Sequence, residues 1–164
     1  MIDQSKYTTI VRNKSNAELA KYYRTLMKRF VDSESPSKSK DLKVVIGIIK
    51  EEWMKRLEEG DQDGLPDEGL MSTMGYRVGD TQGIKGSYRR MIMKEILEGP
   101  IPFVGNPAYM REWGEDGSIE RYNKMKRFLN SEINSPVQKY NYRAISEWKE
   151  DLQWLEEVGA EYIK

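Results

Sequence analysis

Carboxylates are the first groups in this chain with a spacing that suggests chemistry. Glu59, Asp61 and Asp63 place oxygens at alternate positions ahead of Gly64, the opening of a loop that can wrap a hard cation. The twelfth position of such a loop falls on Leu70 instead of a bidentate Glu, so the simpler expectation is a solvated acidic loop that ends a helix. Pro66-Asp67 with Glu147-Trp148-Lys149 imitates the PD…ExK pattern of metal-dependent nucleases. In those enzymes two carboxylates hold magnesium and a lysine positions water. That ExK element sits on a strand, whereas the segment around Glu147 has helical period. Asp61, Asp63, Glu147 and Asp151 are therefore the residues of a third-ranked reading, a carboxylate-metal enzyme. The favoured expectation names no catalytic residue, no metal site and no cofactor.

Glycines give the second candidate. Gly79, Gly83 and Gly86 precede a helix beginning at Ser87, and amides at such a turn can hold a phosphate or carboxylate. Lys85, Arg89 and Arg90 would add charge. Lys85 precedes Gly86, not Ser or Thr, so this is no Walker loop. Gly83-Ile84-Lys85-Gly86 carries the GxxG string of a KH loop, but the sheet that such a domain needs has no counterpart in the pattern. A structural turn is the alternative reading.

Composition removes whole classes of mechanism. The chain has neither cysteine nor histidine, which excludes disulfides, thiolate nucleophiles, imidazole-ligated metals and Ser-His-Asp or Cys-His catalysis within it. With 27 basic and 27 acidic residues the formal charge is zero, so the chain has no strong overall field for nucleic acid or anionic membrane. The first forty residues hold nine Lys/Arg against four Asp/Glu, which makes them the favoured place for a polyanion. The opening MIDQSKYTTIVRNKS lacks the apolar region of an export signal, and the apolar run from Val44 to Ile49 is too short to span a bilayer. A cytoplasmic protein is expected.

The elements that must position these groups are helices. Ser15 with Glu18 makes a capping box, followed by Leu19, Tyr22, Leu26 and Phe30 at helical spacing. Lys21, Arg24, Lys28 and Arg29 then form a basic outer face. SESPSKSK, residues 33–40, reads as a linker, and Asp41 as the cap of a second helix stopped by Gly60. Further helices are expected near Leu70–Met74, from Ser87 to Leu97, after Asn106-Pro107, from Ser118 to Ile133 and from Tyr142 to Tyr162. The expected fold is all-α, a single-domain bundle of about six helices with at most a minor β pairing near Tyr76 or Phe103. Residues 1–40 would be a basic N-terminal helix and linker, and 41–164 the helical core domain.

Aromatic residues supply a third kind of candidate. Most fall on the apolar stripes. Tyr23 and Trp154 do not, and with Tyr76, Arg77 and Trp113 they make the expected interface, since Tyr, Trp and Arg anchor protein contacts.

From Asp67 onward the runs DEGLMSTMGYRVG, SYRRMIMKEIL, YMREWGEDGSIERYNKMKRFL and AISEWKEDLQWL resemble a family of small uncharacterised helical proteins of bacteria and their phages. The matching residues are Gly69-Leu70, Gly75-Tyr76, Val78-Gly79, Arg89-Arg90, Glu112-Trp113-Gly114, Trp148 and Asp151-Leu152. The resemblance implies a prokaryotic or phage setting and a compact helical unit, and it carries over no site. Met71, Met74, Met91 and Met93 stand where that pattern has aliphatic residues, which implies a softer core or a Met-rich contact surface. The expected function is a non-enzymatic interaction protein, an adaptor, regulator or inhibitor of a larger macromolecule, with a protein as partner. The second reading is nucleic-acid binding through Lys21, Arg24, Lys28 and Arg29 together with Gly83, Lys85, Gly86, Arg89 and Arg90.

Overall fold

Each helix leaves unpaired N–H groups at its start and unpaired carbonyls at its end, and the residues that satisfy them set most of the element boundaries. The computed structural model describes residues 2–164, with eight α-helices, two 3-10 turns and no strand among them. The helices are α1 (Gln4–Arg12), α2 (Asn16–Asp32), α3 (Pro36–Glu59), α4 (Leu70–Thr73), α5 (Gly86–Glu98), α6 (Pro107–Trp113), α7 (Ile119–Ile133) and α8 (Tyr142–Glu157). The all-α class is as expected, but there are eight helices, and neither Tyr76 nor Phe103 enters a strand.

Ser15 and Glu18 close the capping box of α2 as the spacing predicts, and Ser118 caps α7. Gly60 ends α3 at φ 70°, the left-handed conformation that glycine adopts without penalty. The expected linker needs correction. Only Ser33–Ser35 lie outside helices. Ser35 accepts a hydrogen bond from the Lys38 N–H at 3.4 Å, and Pro36 opens α3, where its missing N–H costs nothing. The expected division at residue 40 thus falls inside α3. Helix α1 was not expected: QSKYTTIVR has little apolar periodicity, and it is held by the Asp3 cap and by burial of Val11.

The chain divides into two compact units. The first comprises residues 1–74 and 100–107. In it α2 and α1 both pack on α3, burying Leu19, Tyr23, Leu26 and Met27 against Val45, Ile49 and Trp53. Tyr23 and Trp53 touch with ring centroids 4.7 Å apart. The buried Arg56 donates to the carbonyls of Val11, Arg12 and Lys14 and to Asn16 Oδ1, and its Nε pairs with Glu52 at 2.8 Å. A cation thereby satisfies the C-terminal end of α1.

The second unit comprises residues 75–99 and 108–164. There α7 and α5 pack on α8 around Ile92, Ile96, Met125, Leu129, Trp148 and Leu155. Arg121, also buried, donates to Ile96 O at 2.7 Å and to Gly99 O, the end of α5, and pairs with Asp116 at 2.9 Å. The expected last helix is shorter than its pattern suggests. It ends at Glu157, and Gly159–Tyr162 continues as a 3-10 turn in which a Cβ on Gly159 would lie 2.7 Å from Leu155 Cδ1.

Candidate functional site

The densest polar constellation lies in the second unit, where α5 meets α8. Arg89 comes from the first turns of α5, and Glu147, Glu150 and Asp151 come from successive turns of α8. The Arg89 Nε donates to Asp151 Oδ2 at 2.7 Å and its Nη2 to Asp151 Oδ1 at 3.3 Å, the two-pronged geometry that suits a guanidinium. Nη1 reaches Glu147 Oε2 at 2.7 Å and Ile84 O at 2.9 Å. The Tyr76 hydroxyl donates to Asp151 Oδ2 at 2.5 Å. Asp151 has no exposed surface, and Arg89 is 1% exposed.

The Gly-rich loop is part of the same construction. Gly79 donates its N–H to Glu147 Oε1 at 2.8 Å and has φ 96°, a conformation that any other residue would adopt with strain. Gly83 approaches Gly79 so closely that a Cβ on it would lie 2.3 Å from the Gly79 carbonyl oxygen. These glycines let the loop fold tightly enough for Ile84 O to meet Arg89.

Electrostatics closes the cluster. Burial, reinforced by the Asp151 carboxylate, pushes the Tyr76 phenol far above its usual range. Burial opposes the charge on Arg89, but its hydrogen bond to Asp151 and the surrounding carboxylates outweigh this and raise its pKa. The phenol is thus held neutral and the guanidinium charged. Both Asp151 oxygens are bonded, and both Glu147 oxygens have partners. The arrangement cross-links α5, α8 and the Gly-rich loop. Glu147 and Asp151, two of the four carboxylates of the metal-enzyme reading, face Arg89, and among the described residues no three acidic side chains converge as metal ligands do.

No family model, curated protein or solved structure matches the chain. Among the described residues no helix is long and apolar enough to cross a membrane.

The expected anion-binding residues have unequal fates. Gly83, Lys85, Gly86 and Arg89 line one cavity of about 490 Å³ together with Arg143. Arg89 is the correction: it is buried and bound to carboxylates, so it cannot meet a phosphate as it stands. The Arg90 guanidinium folds back over the start of its own helix, 2.9 Å from where a Cβ on Gly86 would be. In the first unit Lys21, Lys28 and Arg29 are exposed, while Arg24 donates to Thr73 O at 3.0 Å and pairs with Glu68 at 3.4 Å. Lys28 and Arg29 border a cavity of about 960 Å³ that Asp32, Glu34 and Asp41 also line, so its walls carry both signs of charge.

The expected interface residues are mostly interior. Tyr23 and Trp113 are each 1% exposed and Tyr76 is 5% exposed. Tyr23 lies four residues after Leu19 and three before Leu26, on the buried stripe; its neighbour Tyr22 is half-buried beneath Lys14. Trp154 is half-buried and stacks on Tyr162. Arg77, half-buried, donates to the Tyr76 carbonyl at 2.9 Å.

The most exposed large apolar side chains lie elsewhere. Val137, Tyr140 and Tyr142 are 88%, 74% and 73% exposed, the first two in the connection from α7 to α8 and the third at the first residue of α8. Tyr142 begins α8 as the spacing predicts, and Tyr140 lies just before it, off any apolar stripe. One signal was present: no acidic residue occurs between Glu132 and Glu147, in a chain where one residue in three is charged.

Proposed function

We propose that this chain is a non-enzymatic helical interaction protein, an adaptor, regulator or inhibitor that works by binding a larger macromolecule in the cytoplasm of a bacterium or of a phage-infected cell. One observation carries the reading. The most exposed large apolar residues, Val137, Tyr140 and Tyr142, fall within six residues at the entry to α8, whereas the polar residues most suggestive of catalysis, Arg89, Glu147 and Asp151, bond to one another. Exposed tyrosines are common binding anchors because they offer large, rigid surface at low entropic cost. The relation to small bacterial and phage proteins belongs to the same proposal and rests on the residue pattern from Glu68 to about Leu155.

The alternative expectation, nucleic-acid binding through the N-terminal basic face and the Arg89-Arg90 helix, loses support because Arg89 and Arg24 are already engaged. Affinity capture from the native host tests the proposal, with the tagged wild-type chain run beside a Tyr140→Ser/Tyr142→Ser variant. A macromolecule enriched by the wild type and lost from the variant is the expected result. Enrichment unchanged by the variant, or none at all, overturns it.

A further inference from the structure

Resting on the interaction reading above, we infer that the segment Lys139–Arg143 is a stacking platform for single-stranded nucleic acid. Lys139, Tyr140, Asn141, Tyr142 and Arg143 are five consecutive exposed residues, and no other aromatic ring among the described residues is exposed to this degree. Both rings are mostly exposed, with Lys139 over one face of Tyr140. Stacking on a base requires one open face of an aromatic ring, with a cation nearby for the backbone phosphate. Both requirements are met at once here. The Lys139 ammonium lies 5.4 Å from the Tyr140 ring centroid, and Arg143, 64% exposed at its side chain, follows Tyr142 directly.

Charge favours this partner over a protein. From Ile133 to Ser146 the chain carries two cations and no carboxylate, so nothing within the segment repels a phosphate. Arg143 also reaches the cavity lined by Lys85 and Ser146, whose walls carry Glu147 and Glu150 as well. The opposing charges are Asp80 and Glu147, 3.7 and 3.8 Å from Arg143, and Glu150 in the same cavity, so Lys139 is the cation of the segment with no carboxylate paired to it among the described residues.

The test is fluorescence anisotropy of labelled dT and rA strands of about 20 nucleotides, with a DNA duplex of equal length, at about 50 and 200 mM salt. Saturable single-strand binding is expected, weaker on duplex and weaker at the higher salt. Tyr140→Ala and Tyr142→Ala should each weaken it roughly 5- to 100-fold, whereas Tyr140→Phe and Tyr142→Phe should retain it, because the ring and not the hydroxyl stacks. Lys139→Ala/Arg143→Ala should flatten the salt dependence. All these side chains are exposed, so circular dichroism should show the same fold throughout. Absence of strand binding at the lower salt, or binding unaffected by Tyr140→Ala/Tyr142→Ala, overturns the inference. If the strands fail while a protein is captured from host lysate by the wild type and not by the tyrosine variant, the partner is a protein and the interaction reading stands. Loss of both kinds of binding overturns both.

Discussion

Replacing Asp151 by Asn should be among the most damaging single changes in the second unit. The substitution keeps the shape of the side chain but removes the charge that faces Arg89 at 2.7 Å and accepts from Tyr76. Breaking one side of a buried ion pair costs about 3–5 kcal/mol, because the remaining charge is left in a poorly solvated place. Arg89 keeps Glu147 at 2.7 Å and the Ile84 carbonyl, which argues for the lower end, about 3 kcal/mol, or roughly 6–12 °C in melting temperature for a chain of this length. Urea unfolding followed by tryptophan emission reads this directly. Trp148 is buried on the same helix, and a Trp53→Phe background removes the first unit's only indole. The double variant Arg89→Met/Asp151→Leu should lose less than the sum of its two single variants, with a coupling of about 2–3 kcal/mol, since an apolar pair leaves no charge unmatched. A loss under about 1 kcal/mol in Asp151→Asn, with additive single variants, would refute the cluster's role as the cross-link between α5 and α8.

Three further outcomes follow from the geometry. Tyr76 should make stability fall in alkali: its phenol has a pKa near 10.0 when unfolded and a much higher one when folded. Its contribution is therefore full below pH 10 and lost above it, by about 1.4 kcal/mol at pH 11; the urea midpoints of wild type and Tyr76→Phe should converge between about pH 9 and 11. Arg56→Met leaves the Val11, Arg12 and Lys14 carbonyls without their donor and should cost about 3 kcal/mol, detected as an earlier loss of Trp53 emission. The glycines should split by sign: Gly47, in mid-helix with nothing within 4 Å of an added Cβ, should gain about 1 kcal/mol on change to Ala, while Gly83→Ala, 2.3 Å from the Gly79 oxygen, should lower the melting temperature.

Local signals were legible in the sequence and long-range ones were not. Ser15 with Glu18, Gly60, Asn106-Pro107 and Ser118 mark helix ends through bonds spanning a few residues, and each mark is found where expected. SESPSKSK misled because a Ser-Pro step serves equally as a loop and as a cap followed by a first helical position. Adjacent Tyr22 and Tyr23 differ by about 100° around the helix, and the choice of stripe depends on where α3 lies, which no local pattern encodes. The identity of Arg89 as an interior residue was hidden most deeply. Its partner Asp151 stands 62 residues away, and Arg89-Arg90 looks like any exposed basic pair until α8 is folded against it.

A formal charge of zero says little about where the charges act. Arg56, Arg89 and Arg121 are each at most 5% exposed, so three of the 27 basic residues are occupied with helix ends and buried carboxylates and contribute little field at the surface. Around Lys139 and Arg143 the cations stay at the surface: no carboxylate occurs from Ile133 to Ser146, and Asp80 and Glu147 reach Arg143 only from outside that stretch. That patch has few cations. Each phosphate contact on a single strand changes the logarithmic salt slope by only about 0.7, so two such contacts give a shallow dependence of about 1.4. Charge at this level guides a strand to the surface but cannot hold it, and the affinity must come from the two tyrosine rings.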